Sequence, residues 1–421
     1  MQYLFLLVFL YFLLKDFRKG VVIYAPFKFF FYEGFKLGPT SFDIALSTIV
    51  CAIFFIKKRK LIIENFPWKK SFGILLISGV IFSFYPSFYI GEFLRQVFCI
   101  YGYGFVCFYS LSDKSITNTF LKSCTLFAIL LAGNGFFQLV TDQNLLGNFH
   151  DSFYNAEFTD NSLVRFGNFS RIRSFCSHSI SYGVECVVFL ITFLYMYFGY
   201  KKEYFAKSMY FAIFFCAIGI ITSGSRTPLL GVAIMILPLM TKLNRISGRQ
   251  KLIVILAIIC FCALFGSYVI EMVNSIINPD KSSVEGSNTT GRLEQFAYSI
   301  YLVQNCWLLG YGNVNIMDMK SFDYSLLYGA ESIWMVTILQ KGIIGILAYA
   351  YFYVDVFKHL PKNNKILFVF FVLGWLLVDS ATSLMGINMF LPIMIMSLLY
   401  RLGTNNSLIK YDSFKYNNPC L

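Results

Sequence analysis

Long apolar runs recur along nearly the whole chain, and they limit its possible folds more than any other feature. Crossing a bilayer as a helix takes about 20 predominantly apolar residues. Runs of that kind, some short, fall near 1–14, 41–56, 71–90, 93–112, 120–140 and 179–200. Others fall near 208–224, 227–241, 251–271, 332–356, 365–380 and 383–400. The pattern predicts an all-α, polytopic integral membrane protein of about twelve transmembrane helices, a single membrane domain over 1–421. Composition agrees, with 57% hydrophobic and only 14% charged residues, where a water-soluble chain carries about 25% charged. The first run ends at Lys15 and lacks a basic start and a small-residue cleavage site, so it reads as a retained span. The aromatic stretch around Phe29, Phe30 and Phe31 reads instead as a re-entrant or interfacial piece.

Lysine and arginine in the short loops set the expected orientation. One set of alternate loops holds Lys57, Lys58, Arg59, Lys60, Lys69 and Lys70, then Lys201, Lys202 and Lys207. The same set holds Lys242, Arg245, Arg249 and Lys251, then Lys358, Lys362 and Lys365. These loops are expected in the cytoplasm, with both termini. The formal net charge of +13 is then positive-inside bias, not a nucleic-acid footprint. Segment 15–40, with Lys15, Arg18 and Lys19, falls on the wrong side of this scheme. Two long polar loops, 141–178 and 272–330, are expected to be extracytoplasmic. In the second, Leu293, Phe296, Ala297, Ile300, Val303 and Trp307 recur at helical spacing, which predicts an amphipathic helix lying on the membrane face.

Most of the eleven cysteines fall within apolar runs without metal-ligand spacing, so no disulfide framework and no metal site is expected. No phosphate-binding glycine loop, dinucleotide fingerprint or zinc-protease motif is present. Chemistry is therefore sought among polar residues at the membrane boundary. Arg95, Arg173, Arg226 and Arg292 are candidates, because a guanidinium is always ionised and grips phosphate oxygens with two N–H groups. The bland alternative for each is an anchor at the membrane interface. Arg226 stands out in Ser223-Gly224-Ser225-Arg226-Thr227-Pro228, a very short connection between spans, while Arg95 has Glu92 nearby as a pairing partner. Glu331, just before a span, is the best acid–base candidate, since partial desolvation raises a carboxyl's pKa. Its alternative is an ion pair or a helix cap. His178 is a second candidate, and a hydrogen-bonded structural histidine is the alternative; Asp379 is a third.

Taken in order, these pieces resemble the O-antigen ligase and Wzy-type polymerase superfamily. Glu331-Ser332, nine residues, then Gly342-Ile343 is similar to that family's histidine-polar pair, nine residues, then glycine and an aliphatic. Thr290-Gly291-Arg292 leading to Leu309-Gly310-Tyr311-Gly312 resembles its loop arginine and following Gly-x-Gly. Ser223-Gly224-Ser225-Arg226 resembles its short Ser-Arg turn, and Arg173-Ser174-Phe175 its basic entry motif. The resemblance covers roughly 165–356. It implies a glycosyltransferase of the bacterial cytoplasmic membrane that uses polyprenyl-diphosphate-linked glycans as donor and acceptor, with no cofactor or catalytic metal. A length-regulating protein partner is compatible with that role. By position, Arg226 and Arg292 would bind diphosphate, with Arg173 a third arginine, Ser225 beside them, and Glu331 standing where ligases have histidine. That replacement shifts the expectation from ligase toward repeat-unit polymerase. The alternatives are ligation of finished glycan and, from another class, a lipid-linked oligosaccharide flippase.

Overall fold

The computed structural model describes residues 2–31, 36–37, 40–57, 66–111, 113–152, 171–200, 204–241, 266, 270, 289–313, 332–382 and 389–404. The described chain is helical, apart from a two-residue antiparallel ladder, β1 (Lys36–Leu37) with β2 (Thr40–Ser41). The helices are α1 (Gln2–Lys15), α2 (Phe17–Phe31), α3 (Phe42–Lys57) and α4 (Lys69–Phe84). A continuous run follows: α5 (Ile90–Leu94), a π-helical segment (Arg95–Gly102) and α6 (Tyr103–Ser110). Next come α7 (Lys114–Thr141), α8 (Leu145–Asp151), α9 (Ser179–Phe198), α10 (Ser208–Thr222) and α11 (Arg226–Met240). The last are α12 (Thr289–Leu302), α13 (Ile333–Lys358), α14 (Lys365–Ala381) and α15 (Phe390–Gly403). Of the apolar run near 251–271, only residues 266 and 270 are described.

Three helices, α7, α9 and α13, are long and apolar enough to cross a membrane, and several shorter ones are apolar throughout. Many large apolar side chains lie on the outer surface. Leu14 is 84% exposed and Ile56 79%, and Ile77, Phe211, Leu347 and Ile366 also face outward. In water such a surface would drive aggregation; against lipid tails it costs nothing. This is a membrane protein.

The helix bundle has a basic end and a far end. At the basic end Arg18 pairs with Asp113 at 3.1 Å, the Ser71 amide donates to Asp355, and the Asn363 amide donates to the Gly403 carbonyl. At the far end the Phe30 ring meets Phe149, His150 and Phe175. Helix α2 therefore runs the full way back from the basic end, and Phe29–Phe31 is its last turn rather than a re-entrant piece. This return leg has two consequences for the ends of the bundle. Lys15, Arg18 and Lys19 join the basic end, and the start of α1, whose Phe5 packs on Phe31, lies at the far end. The start of α1 and the end of α15 thus occupy opposite ends of the described bundle. Glycine at position 20 allows the hairpin, because a Cβ there would meet the Leu13 backbone at 2.7 Å.

Helix α12 confirms the spacing-based helix over part of its length and shows which way it faces. Leu293, Phe296 and Ile300 are exposed while Gln295 and Ser299 are buried. Val303, just beyond it, packs with Leu339 of α13. The apolar stripe thus turns away from the protein, as a helix resting on lipid requires. Of the two long loops, 141–152, 171–178 and 289–313 are described.

Candidate active site

Two distant pieces of sequence meet at the far end. The Ile172 amide donates to the Thr222 carbonyl at 3.0 Å, laying the segment before α9 along the turn between α10 and α11. Arg171 completes the join. Its Nε donates to the Ser223 carbonyl at 3.2 Å and its Nη2 to Ser225 Oγ at 2.7 Å. The turn is tight because Gly224 takes a positive φ of 63°, a region open to glycine at no steric cost. A close approach supports it from below: a Cβ on Gly183 of α9 would meet Ser223 Oγ at 2.5 Å and Pro228 Cγ at 2.7 Å.

This turn delivers Arg226 to the first residue of α11, half-buried. A cation there opposes the helix dipole, whose N-terminal end favours negative charge. Free amide groups and a guanidinium at one helix start instead suit a bound anion. Around it, α11 packs antiparallel on α14, with Gly231 against Val378 and Gly374 against Met235. The end of α14 consequently lies level with Arg226. That same end holds the start of α13: the Ile333 amide donates to the Thr382 carbonyl at 3.1 Å and Trp334 Nε1 to Ser380 Oγ at 2.9 Å. Ser332 caps α13 by accepting from the Trp334 amide, so the capping role open to Glu331 falls to its neighbour. Glu331 itself lies outside the described residues.

The other candidates are placed with equal clarity. Arg173 forms an ion pair with Asp151 and donates to the Cys176 carbonyl at 3.2 Å, bracing α8 against the entry to α9. A guanidinium neutralised by a carboxylate is a weaker diphosphate ligand than a bare one. Beside it, burial lowers the pKa of His150 below its usual 6.5, so the imidazole stays neutral at physiological pH. Burial and the Glu185 carboxyl hold the Cys176 thiol well above the ordinary range. Ser174, at a positive φ of 53°, is tied to α7 by Asn134, which also donates to Asn144. His178 accepts from the Ile180 amide at 3.1 Å and caps α9. Arg95 pairs with Glu92 at 3.3 Å. Asp379 is buried within α14 and accepts from Tyr353 Oη at 2.6 Å. Arg292 sits on the first full turn of α12, whose packing partner is α13.

The glycine motifs also meet, at a break in α13. Gly342 takes φ 57° and ψ −155° inside that helix, which interrupts the backbone ladder. The loop after α12 repairs it. The Tyr311 and Gly312 amides donate to the Leu339 and Gln340 carbonyls at 2.7 and 2.9 Å, and the Ile343 amide donates to the Trp307 carbonyl at 2.9 Å. Gly310 and Gly312 take φ of 64° and 72°, and a Cβ on Gly310 or Gly342 would lie 2.5 Å from a carbonyl of the other segment. Irregular backbone at membrane depth is tolerated only when satisfied in this way. Sequence reasoning singled out these glycines but missed their mutual contact. It also missed Arg171, which lay in view as the first of two alternating arginines before α9.

Residues 211–350 match the family model described as O-antigen ligase, the superfamily that the motifs resemble. The match takes in Arg226, Arg292, Glu331 and Gly342, and leaves Arg95, Arg173 and His178 outside it. No curated protein matches the chain. The match is common to membrane O-antigen polymerases and ligases.

Proposed function

With the O-antigen ligase family segment at 211–350 as premise, we propose that this protein is a polysaccharide repeat-unit polymerase of the bacterial cytoplasmic membrane. It moves a growing glycan from its polyprenyl diphosphate onto the terminal sugar of a lipid-linked repeat unit. The observation carrying this reading is the junction of residues 171–172 with the 222–226 turn, which sets Arg226 at a helix start beside the start of α13. By the positive-inside rule the basic end is cytoplasmic and the far end outward. About twelve passes belong to this reading.

In this mechanism Arg226 and Arg292 hold the donor diphosphate and stabilise the charge that grows on it as the sugar bond breaks. Electrostatic stabilisation of that kind is worth on the order of 10²–10³ in rate per donor elsewhere. Glu331 orients or deprotonates the acceptor hydroxyl. Arg171 holds the turn that aims Arg226 and does not touch substrate.

The test uses the glycan ladder of a strain complemented with variants. Arg226→Lys and Arg292→Lys lose polymer while remaining folded and inserted, because an ammonium cannot reproduce bidentate binding. Near-normal ladders from both would overturn the assignment. In the deletion strain, single lipid-linked repeats collect on the outer leaflet. Full-length polymer left on its lipid would indicate ligation instead, and repeats trapped on the inner leaflet would indicate a flippase.

A further inference from the structure

His150, in the last turn of α8, is only 3% exposed although it lies in a loop between long apolar helices. Its imidazole centroid is 5.2 Å from that of Phe30 in α2 and 6.4 Å from that of Phe175 at the entry to α9. Its Nε2 is buried, and its Nδ1 lies 3.3 Å from Asp151 Oδ1. Asp151 is in turn the carboxylate that pairs with Arg173. The start of α8 is held separately, since Asn144 accepts from the Gly147 amide and Asn134 from the Leu146 amide. Among the described residues, the end of the helix meets α2 and the entry to α9 through the His150 ring and the Asp151–Arg173 pair.

An imidazolium in that place is costly. Burial weighs most against the charged ring. Asp151 favours it, Arg173 opposes it and the Phe30 backbone favours it, and the balance lowers the pKa from 6.5. The other polar groups nearby are engaged elsewhere: Lys28 of α2 pairs with Asp43, and Cys176 donates to Glu185. A ring released to water titrates near the ordinary value of about 6.5. The closed form therefore binds fewer protons than the open one. Closure is at full strength above about pH 6.5 and weakens as pH falls from there toward the lower pKa of the closed form.

Arg173 stands two residues from Arg171, which grips Ser223 and Ser225 and so sets the aim of Arg226. We propose that the end of α8 is an acid-sensitive latch: protonation of His150 expels its ring from between α2 and the entry to α9, parts Asp151 from Arg173 and slackens segment 171–173. The turn that carries Arg226 then loses its brace. That acid disables the active site, and that the ring meets the pH of the surroundings rather than of the cytoplasm, rests on the transferase reading; the latch itself does not.

The experiment is hydrogen–deuterium exchange of the full-length protein in detergent at about pH 7.5 and about pH 5.5, corrected for intrinsic exchange rates. In wild type, protection of the amides in 145–152 and 171–176 is expected to fall in acid by up to about tenfold, the limit for one ring whose open-form pKa is near 6.5. His150→Phe suits the aromatic surroundings, and His150→Gln keeps a polar group should the first variant fail to fold. Neither titrates, so each keeps the same protection at both pH values. In cells, acidifying the medium shortens the glycan ladder of wild type and spares that of the variants. Wild-type protection that ignores pH, or falls equally in both variants, would overturn the latch. Acid exchange confined to wild type, with ladders that respond alike in all strains, would overturn its coupling to Arg226. If no strain polymerises glycan at either pH, the transferase reading fails and the exchange data alone judge the latch.

Discussion

At the scale of single residues, the far end separates arginines by what each already holds. Arg95 and Arg173 have carboxylate partners within the protein, and Arg171 spends its donors on Ser223 and Ser225. Arg171 and Arg226 should therefore respond differently to substitution. Arg171→Lys keeps a charge but cannot span the Ser223 carbonyl and Ser225 hydroxyl together, so it should slow polymer formation about tenfold without abolishing it, as positioning losses do. Arg171→Ala should also lower the thermal midpoint, because the buried Ser223 carbonyl loses a charged donor worth about 1.5–3 kcal/mol. Melting curves and glycan ladders of both variants check this, and an unchanged ladder for Arg171→Ala would remove its positioning role. The chemistry of Arg171 was readable as "basic, before a span"; its target was not, because the turn it holds lies some fifty residues further along the chain.

At the scale of elements, the broken helix is the feature that most needs its glycines. Gly342 occupies a region of φ and ψ that is essentially closed to side chains, and forcing one there costs about 1–3 kcal/mol. Gly342→Ala adds a clash with the Leu308 carbonyl and should destabilise by at least that much, with loss of ladder because the loop after α12 is displaced. Gly73, inside α4, has nothing within 4 Å of its Cβ position. Gly73→Ala should be neutral or stabilising by up to about 1 kcal/mol. Detergent melting of the pair decides the matter, and equal effects would mean that the break is not strained by a side chain. The spacing from Ser332 to Gly342 was visible in sequence. That Gly310 and Gly312 exist to receive Gly342 was not, because the two segments interlock only through carbonyls and amides that carry no residue identity.

At the scale of the whole molecule, one buried charge pair ties the first helices to the last. Lys28 of α2 reaches Asp43 at 2.5 Å and Ser47 at 2.6 Å, with no exposure for either charged side chain. Tyr24 donates to the same carboxylate, and Tyr103 and Phe390 place their rings beside the ammonium. Removing one charge strands the other, so Lys28→Met should cost about 3–5 kcal/mol, while Lys28→Met with Asp43→Asn should recover much of it. Thermal midpoints of the single and double variants test the coupling; an additive result would deny it. Neither residue announces this in sequence, where Lys28 lies in an aromatic stretch that could equally rest at the interface.

The apolar runs by themselves determined that this chain lives in a membrane as helices, because a bilayer leaves backbone groups no other partners. Local motif chemistry likewise determined which arginines and glycines were worth watching. Tertiary structure alone decided that α2 runs back from the basic end to the far end, because that rests on Arg18 meeting Asp113 and Phe30 meeting Phe149. It alone decided which cations are already held by carboxylates, as Arg95 and Arg173 are. Pairing is a property of what packs around a charge, and hydropathy along a chain contains no record of it.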